Sequence, residues 1–287
     1  MKLRGDIFKQ IRRKRGLSQT ALAEGICTQA TISLMEKQNR IPKMNILTAL
    51  CSRLDISANE IIENDDVSMT ATFDQIGRLL AERQFEDAQT ALQMIKVKNL
   101  QNEFDKQRYY YLLGMLQVQN HQFDEAIFNF ELVLTQFSTA SANIYLAMTT
   151  IGMAMAYEKI GSQSRALRLV ERAMRLIDEK KLTGDQLQWI VVYEYISGLY
   201  LALGQPQLSL NAAQRGIEIC RQMRSMFLLD RYYLHAGKAQ LALANQAVGK
   251  QDLEIAHSLA LVGQHPELVK ESMKTLALLK NIHTKKR

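Results

Sequence analysis

The sequence predicts an all-α protein: a small helical unit first, then an array of helical hairpins. Three observations point there. Apolar residues recur at helical spacing, and strand-like alternation is absent. Three prolines and 14 glycines in 287 residues are too few for the frequent turns of a β-architecture. Beyond residue 70, a pattern of helix, tight turn and small residue recurs along the chain. With 47% hydrophobic and 23% charged residues the composition is that of a soluble globular protein, and the length suffices for two domains.

The net charge of +7 is unevenly distributed. Residues 1–53 carry 11 Lys/Arg against Asp6, Glu24 and Glu36, a net of +8, and the remainder sums to −1. A polyanion-binding surface is therefore expected only in the first unit. Cys27, Cys51 and Cys220 are few, odd in number and set in apolar helical patterns, which fits reduced core residues of a cytosolic protein. The N-terminus is charged, and no apolar run reaches the roughly 18 residues a membrane span needs, so neither export nor membrane insertion is expected.

Ile7, Phe8 and Ile11 mark the buried face of a first helix, with Lys9, Arg13 and Lys14 opposite, until Gly16 stops it. Ser18 is placed to N-cap a second helix that buries Leu22 and Ala23. Gly25 permits a turn, and Thr28 N-caps a third helix. That helix turns Ile32 and Met35 inward and presents Gln29, Ala30, Ser33 and Leu34, the pattern of a helix-turn-helix. After Pro42, Ile46, Leu47, Leu50, Cys51 and Leu54 form the stripe of a fourth helix, and Ser57 opens a fifth with Ile61 and Ile62.

Arg15-Gly16-Leu17-Ser18-Gln19, Leu22-Ala23, Thr31-Ile32-Ser33, Glu36 and Pro42 resemble the lambda-repressor-like, or XRE-type, helix-turn-helix family. The turn before the third helix is one residue shorter than in most members, similar to the PlcR branch of peptide-responsive regulators. The resemblance implies that the third helix enters a major groove. There Gln29 can pair bidentately with adenine, Ala30 and Leu34 can meet thymine methyls, and Ser33 can reach a base or phosphate. It also implies a phosphate contact from Gln19 that buttresses Gln29, and a structural ion pair between Arg12 and Glu36. Thr28, Asn39, Arg40 and Lys43 are expected to meet phosphates, which position the protein without reading sequence.

The polar, acidic stretch 64–70 lacks helical periodicity and reads as a linker, dividing the chain into residues 1–66 and 67–287. Beyond it, the segments from Arg83, His121, Gly161 and Gly204 each lead into a small residue, Ala88, Ala126, Ala166 and Ser209, at spacings of 38, 40 and 43. These resemble tetratricopeptide repeats with helices longer than the usual repeat of about 34 residues. Tyr110, Leu113 and Gly114 ahead of Ala126 fit that consensus, as do Tyr157, Tyr193 and Tyr200 in the later units. A degenerate fifth unit runs from about Arg231 to Gly263, and a final helix from Glu267 to about Ile282 caps the stack.

Stacked repeats form a superhelix whose groove is lined by the first helix of each pair. Counting from the small residues gives groove positions Arg108, Tyr111, Met115 and Gln119, then Met148, Ile151, Met155, Glu158 and Lys159. Val191, Glu194, Arg231 and Lys238 follow. Met and Tyr offer adaptable apolar contact, and isolated charges suit the ends or side chains of a short peptide. The five histidines, His121, His235, His257, His265 and His283, are scattered without metal spacing. Phosphate-binding glycine loops are absent too, so no cofactor, metal or catalysis is expected.

A helix-turn-helix ahead of such repeats resembles the RRNPP group, cytoplasmic receptors for signalling peptides. This implies a homodimer on a palindromic operator of double-stranded DNA, rearranged by a peptide in the groove. In the PlcR branch, Asn residues clamp the peptide backbone, and Ile151 and Glu194 stand at the corresponding places here. Two alternatives remain: a DNA-binding regulator controlled by a protein segment, and an adaptor that never touches DNA.

Overall fold

In the computed structural model, residues 2–63, 65–137, 142–179 and 181–284 are described. They divide into two compact units, one ending at Asp74 and one beginning at Gln75. The first holds helices α1 (Gly5–Lys14), α2 (Gln19–Ala23), α3 (Gln29–Gln38) and α4 (Met44–Leu54). Phe8, Leu22, Ile32, Met35, Leu47, Leu50 and Leu54 from all four meet in one core. Ser18 and Thr28 cap α2 and α3 as their sequence positions require, each side chain accepting an N–H three residues on. Gly5 lies so close to the C-terminal carbonyls of α3 that a Cβ would stand 2.3 Å from the Met35 oxygen, so the start of α1 rests on the end of α3.

Two expectations for this region are corrected. Ser57 opens only a three-residue 3₁₀ turn, Ala58–Glu60, closed by a reciprocal cap with Glu60. The chain then extends as strand β2 (Ile62–Glu63), which pairs antiparallel with β1 (Lys2–Leu3). Leu3 of β1 and Ile61, just before β2, are buried, so Ile61 joins the core without a fifth helix. Residues 65–70, expected as a linker, belong instead to α5 (Asp65–Ala81), so the units divide inside a helix rather than at residue 66.

In the second unit the end of α5 turns into α6 (Phe85–Gln93) as a first hairpin, and α7 (Glu103–Gln119) pairs with α8 (Phe123–Thr135) and α9 (Tyr145–Lys159) with α10 (Gln163–Glu179). The pairs α11 (Gln186–Ala202) with α12 (Pro206–Met223) and α13 (Leu229–Ala242) with α14 (Gln246–Val262) complete the array, and α15 (Pro266–Thr284) follows. Helices α7, α9, α11 and α13 pack in succession as an inner layer, each covered by its partner.

Every hairpin closes in the same way. A residue in the left-handed conformation follows the first helix, and the next N–H reaches back to the carbonyl five residues earlier, as in Gln84 to Leu79, Gln122 to Gln117 and Gln205 to Tyr200. The left-handed positions are Arg83, His121, Gly161, Gly204, Ala244 and Gln264. Small residues then admit large ones: Phe130 enters where a Cβ on Gly114 or Gly152 would stand 2.5 and 2.7 Å from its ring.

The array curls back on itself. The Arg231 guanidinium on α13 donates from Nη1 to the Ala81 carbonyl at the end of α5, at 2.5 Å. Arg78 on α5 lies over the Phe227 ring at 5.9 Å. The first and fifth hairpins therefore touch, a closure for which helical periodicity carries no signal.

Candidate nucleic-acid interface and ligand cavity

On the first unit, four polar side chains form a relay from the core to the exposed start of α3. Arg12 is almost wholly buried and donates from Nε and Nη2 to the two Glu36 carboxylate oxygens at 2.5 and 3.0 Å, and from Nη1 to the Leu17 carbonyl at 2.6 Å. Gln19 donates from Nε2 to Glu36 Oε2 at 2.8 Å, and Gln29 donates from Nε2 to Gln19 Oε1 at 2.6 Å.

The direction of this relay follows from its first member. Burial opposes the Glu36 charge, but hydrogen bonds from Arg12 and Gln19, with the Arg12 and Lys9 charges, outweigh it and hold the carboxyl below the usual carboxylate range. An ionised carboxylate only accepts, so Gln19 must turn its amide nitrogen inward and its oxygen outward. Gln29 must then offer a nitrogen to Gln19. That leaves Gln29 one further N–H and a free oxygen, the donor and acceptor that adenine N7 and N6 require.

Around Gln29, Ala30 and Thr28 are exposed and Ser33 and Leu34 half-exposed, while Ile32 and Met35 are buried. Arg40 and Lys43 are exposed in the loop after α3. Asn39 is committed internally: it caps α3 in the left-handed conformation, and its Oδ1 accepts the Gly5 N–H at 3.0 Å. Its phosphate role rested on loop position alone, and loop position does not reveal this bond across the domain. Arg53 anchors the turn after α2 from below, donating to the carbonyls of Leu22 and Glu24.

The second unit contains a cavity of about 670 Å³ on the inner face of the array. Of the groove positions expected from sequence, Gln119, Met155, Glu158, Lys159, Glu194, Arg231 and Lys238 line it. Arg108, Tyr111, Met115, Met148, Ile151 and Val191 do not; the structure places them in the packed interior. Their helices meet directly along these stretches. Tyr111 is edge-on to Tyr145 with ring centres 5.5 Å apart, the Arg108 guanidinium lies 5.5 Å from the Phe104 ring centre, and Asn143 donates to Gln107 at 3.0 Å. The cavity is lined instead from the C-terminal ends of α7 and α9, by Gln119 and by Met155, Glu158 and Lys159.

Sequence counting missed the wall supplied by the curled ends of the array: Leu80, Arg83 and Phe85 from the first hairpin, Tyr195 and Gly198 from α11, His235 from α13 and Glu271 from α15. Lys238 bridges to Glu271, and Lys159 to Glu158 at 3.1 Å. Arg231 lies 4.0 Å from Glu194, both 4% exposed. Burial raises the Glu194 carboxyl against the pull of Arg231 and Arg83. Burial also pushes the His235 imidazole down to about 3, helped by Lys238, Arg231 and Arg83. Ser197 donates its one hydroxyl hydrogen to the Glu194 carbonyl, so neutral His235 donates from Nδ1 to Ser197 at 2.7 Å and keeps Nε2 as an acceptor.

Residues 8–61 match the family model described as Helix-turn-helix. Among solved structures, PlcR of Bacillus thuringiensis in complex with the peptide PapR7 and DNA aligns at TM-score 0.65 and 19% identity, over 95% of this chain and 99% of that one. Apo PlcR aligns at TM-score 0.69 and 14% identity, over 94% and 98%. ComR from S. thermophilus, in complex with DNA and its signalling peptide, aligns at 0.57 and 13%, over 96% and 98%. This chain has the PlcR and ComR fold: a helix-turn-helix domain followed by helical repeats. Comparison with curated protein sequences finds no match. Among the described residues, no helix is long and apolar enough to cross a membrane and no His/Cys/Asp/Glu group is arranged to hold a metal ion.

Proposed function

We propose that the protein is a sequence-specific DNA-binding transcriptional regulator, controlled by a short signalling peptide held in the repeat-domain cavity. The observation that carries the DNA half is the relay Arg12–Glu36–Gln19–Gln29, which presents a free amide edge on an exposed helix start within a strongly basic domain. Gln29 reads adenine, Ala30 and Leu34 meet thymine methyls, and Ser33 lies beside them. Gln19, Thr28, Arg40 and Lys43 contact phosphates, with Asn39 contributing its remaining amide hydrogens.

The peptide half rests on the cavity. Its volume falls within the roughly 300–1,000 Å³ typical of small-ligand sites, and its wall mixes Met155, Leu80, Phe85 and Tyr195 with isolated charges. PlcR and ComR, which share the fold, were solved with signalling peptides and DNA. A homodimer on a palindromic operator in the cytoplasm, relaying a cell-density signal, completes the reading, and no enzymatic step is involved. DNA selected from a random duplex pool by the full chain tests the first half. A binding preference that Gln29→Ala removes supports it, and binding unaffected by that substitution favours an adaptor.

A further inference from the structure

Arg231 is the cavity's most deeply buried cation, and its hydrogen bonding is incomplete. Nη1 donates to the Ala81 carbonyl, Glu194 stands beyond hydrogen-bond reach at 4.0 Å, and Nε has no partner among the described residues. A buried guanidinium left in this state carries an uncompensated desolvation cost, which a ligand acceptor would relieve. Counting Arg231 itself, the charged side chains of the wall are four cations against three carboxylates. Arg83, Lys159, Arg231 and Lys238 face Glu158, Glu194 and Glu271, and Arg83 has no ion pair among the described residues. Arg83 is also held in the left-handed conformation at φ 64° by the first hairpin turn, which fixes where its side chain leaves the backbone. Glu194, already counted in this balance, lies on the Nη1 side of Arg231 and leaves Nε without a partner.

We propose that this corner of the cavity is a carboxylate anchor: Arg231, flanked by Arg83 and Lys238, takes a carboxylate of the bound peptide. The fork of a guanidinium fits two carboxylate oxygens, and an anion balances the unpaired Arg83. The inference rests on the peptide reading above and adds the chemical group that orients the ligand. The carboxylate can be the peptide's C-terminus or an Asp or Glu side chain.

The test uses the full-length protein, immobilised, and two random octapeptide pools of identical composition. One ends in a free carboxylate and the other in an amide, and bound peptides are read by mass spectrometry. The expected result is retention of the free-acid pool roughly tenfold above the amide pool, as for losing a charge-assisted hydrogen-bonded pair. Retention of amidated members only where they contain Asp or Glu supports the anchor and assigns the side chain as its source. Retained peptides should bind Arg83→Gln about tenfold more weakly by calorimetry, with Arg172→Gln on the exposed face of α10 unchanged. Arg231→Gln, checked for folding by circular dichroism, should lose the preference altogether. Equal retention of both pools without Asp/Glu enrichment overturns the anchor and leaves the peptide reading standing. So does an acid preference that persists in Arg83→Gln and in folded Arg231→Gln. Retention of neither pool overturns both.

Discussion

At the scale of single residues, the proposed DNA reading depends on Gln29. Gln29→Ala should weaken binding to the preferred sequence by about 1–3 kcal/mol, measured by fluorescence anisotropy, and relax the preference at one base pair. Glu36 acts behind it, and its substitution separates structure from recognition. Glu36→Gln leaves Arg12 buried beside a neutral amide and should cost about 3–5 kcal/mol of stability in urea unfolding. Because the folded Glu36 carboxyl lies below its ordinary value, its stabilisation is fully present above about pH 4.3, the unfolded value. It is lost as pH falls through the lower folded value. The wild-type protein should therefore lose stability with acid across that window, and Glu36→Gln should lose less there. Gln29 was recognisable from its place at the start of α3, whereas the Arg12–Glu36 pair, 24 positions apart, and the place of Gln19 came from the resemblance to the XRE-type family. The Asn39 bond to Gly5 had no local signal because it crosses 34 positions of sequence.

At the scale of elements, the helices and hairpins follow from patterns that the chain carries locally. Caps at Ser18 and Thr28, small residues at Ala88, Ala126, Ala166 and Ser209, and apolar periodicity are each readable within a few turns. What escaped notice depends on neighbours. Ile62 suits a helix or a strand, and the distant Lys2–Leu3 segment decides for the strand. Close approaches between helices are likewise set by pairs of elements. A Cβ on Gly216 of α12 would stand 2.0 Å from the Tyr232 ring of α13, whose hydroxyl is tied to the Ile190 carbonyl and cannot retreat. Gly216→Ala should cost about 1–3 kcal/mol in a thermal or urea melt. Retention of wild-type stability would show that the two helices can slide apart.

At the scale of the molecule, the proposed reading gives one helix-turn-helix a single strong base reader, too little to select a promoter, and so assigns the affinity to a homodimer with two copies at matched spacing. Recognition helices in such dimers sit about 34–36 Å apart or at multiples of that distance. A ligand that favours one spacing by about 1–3 kcal/mol changes occupancy roughly 5- to 150-fold. In the proposed reading the cavity is the control point, and its wall joins the first hairpin to the fifth through Arg231 and Ala81. That closure explains the split among the sequence-derived groove residues. Counting along repeats found those near the mouth, Gln119, Met155, Glu158 and Lys159, and also took in Tyr111 and Ile151, which the packing of inner helices buries. The most direct test of the account is selection by the full-length protein from a random duplex pool. It should enrich an inverted repeat whose half-site centres lie one helical turn or a multiple apart, with an adenine that Gln29→Ala ceases to select. A selected pool with no inverted repeat, or one that Gln29→Ala enriches identically, would contradict it.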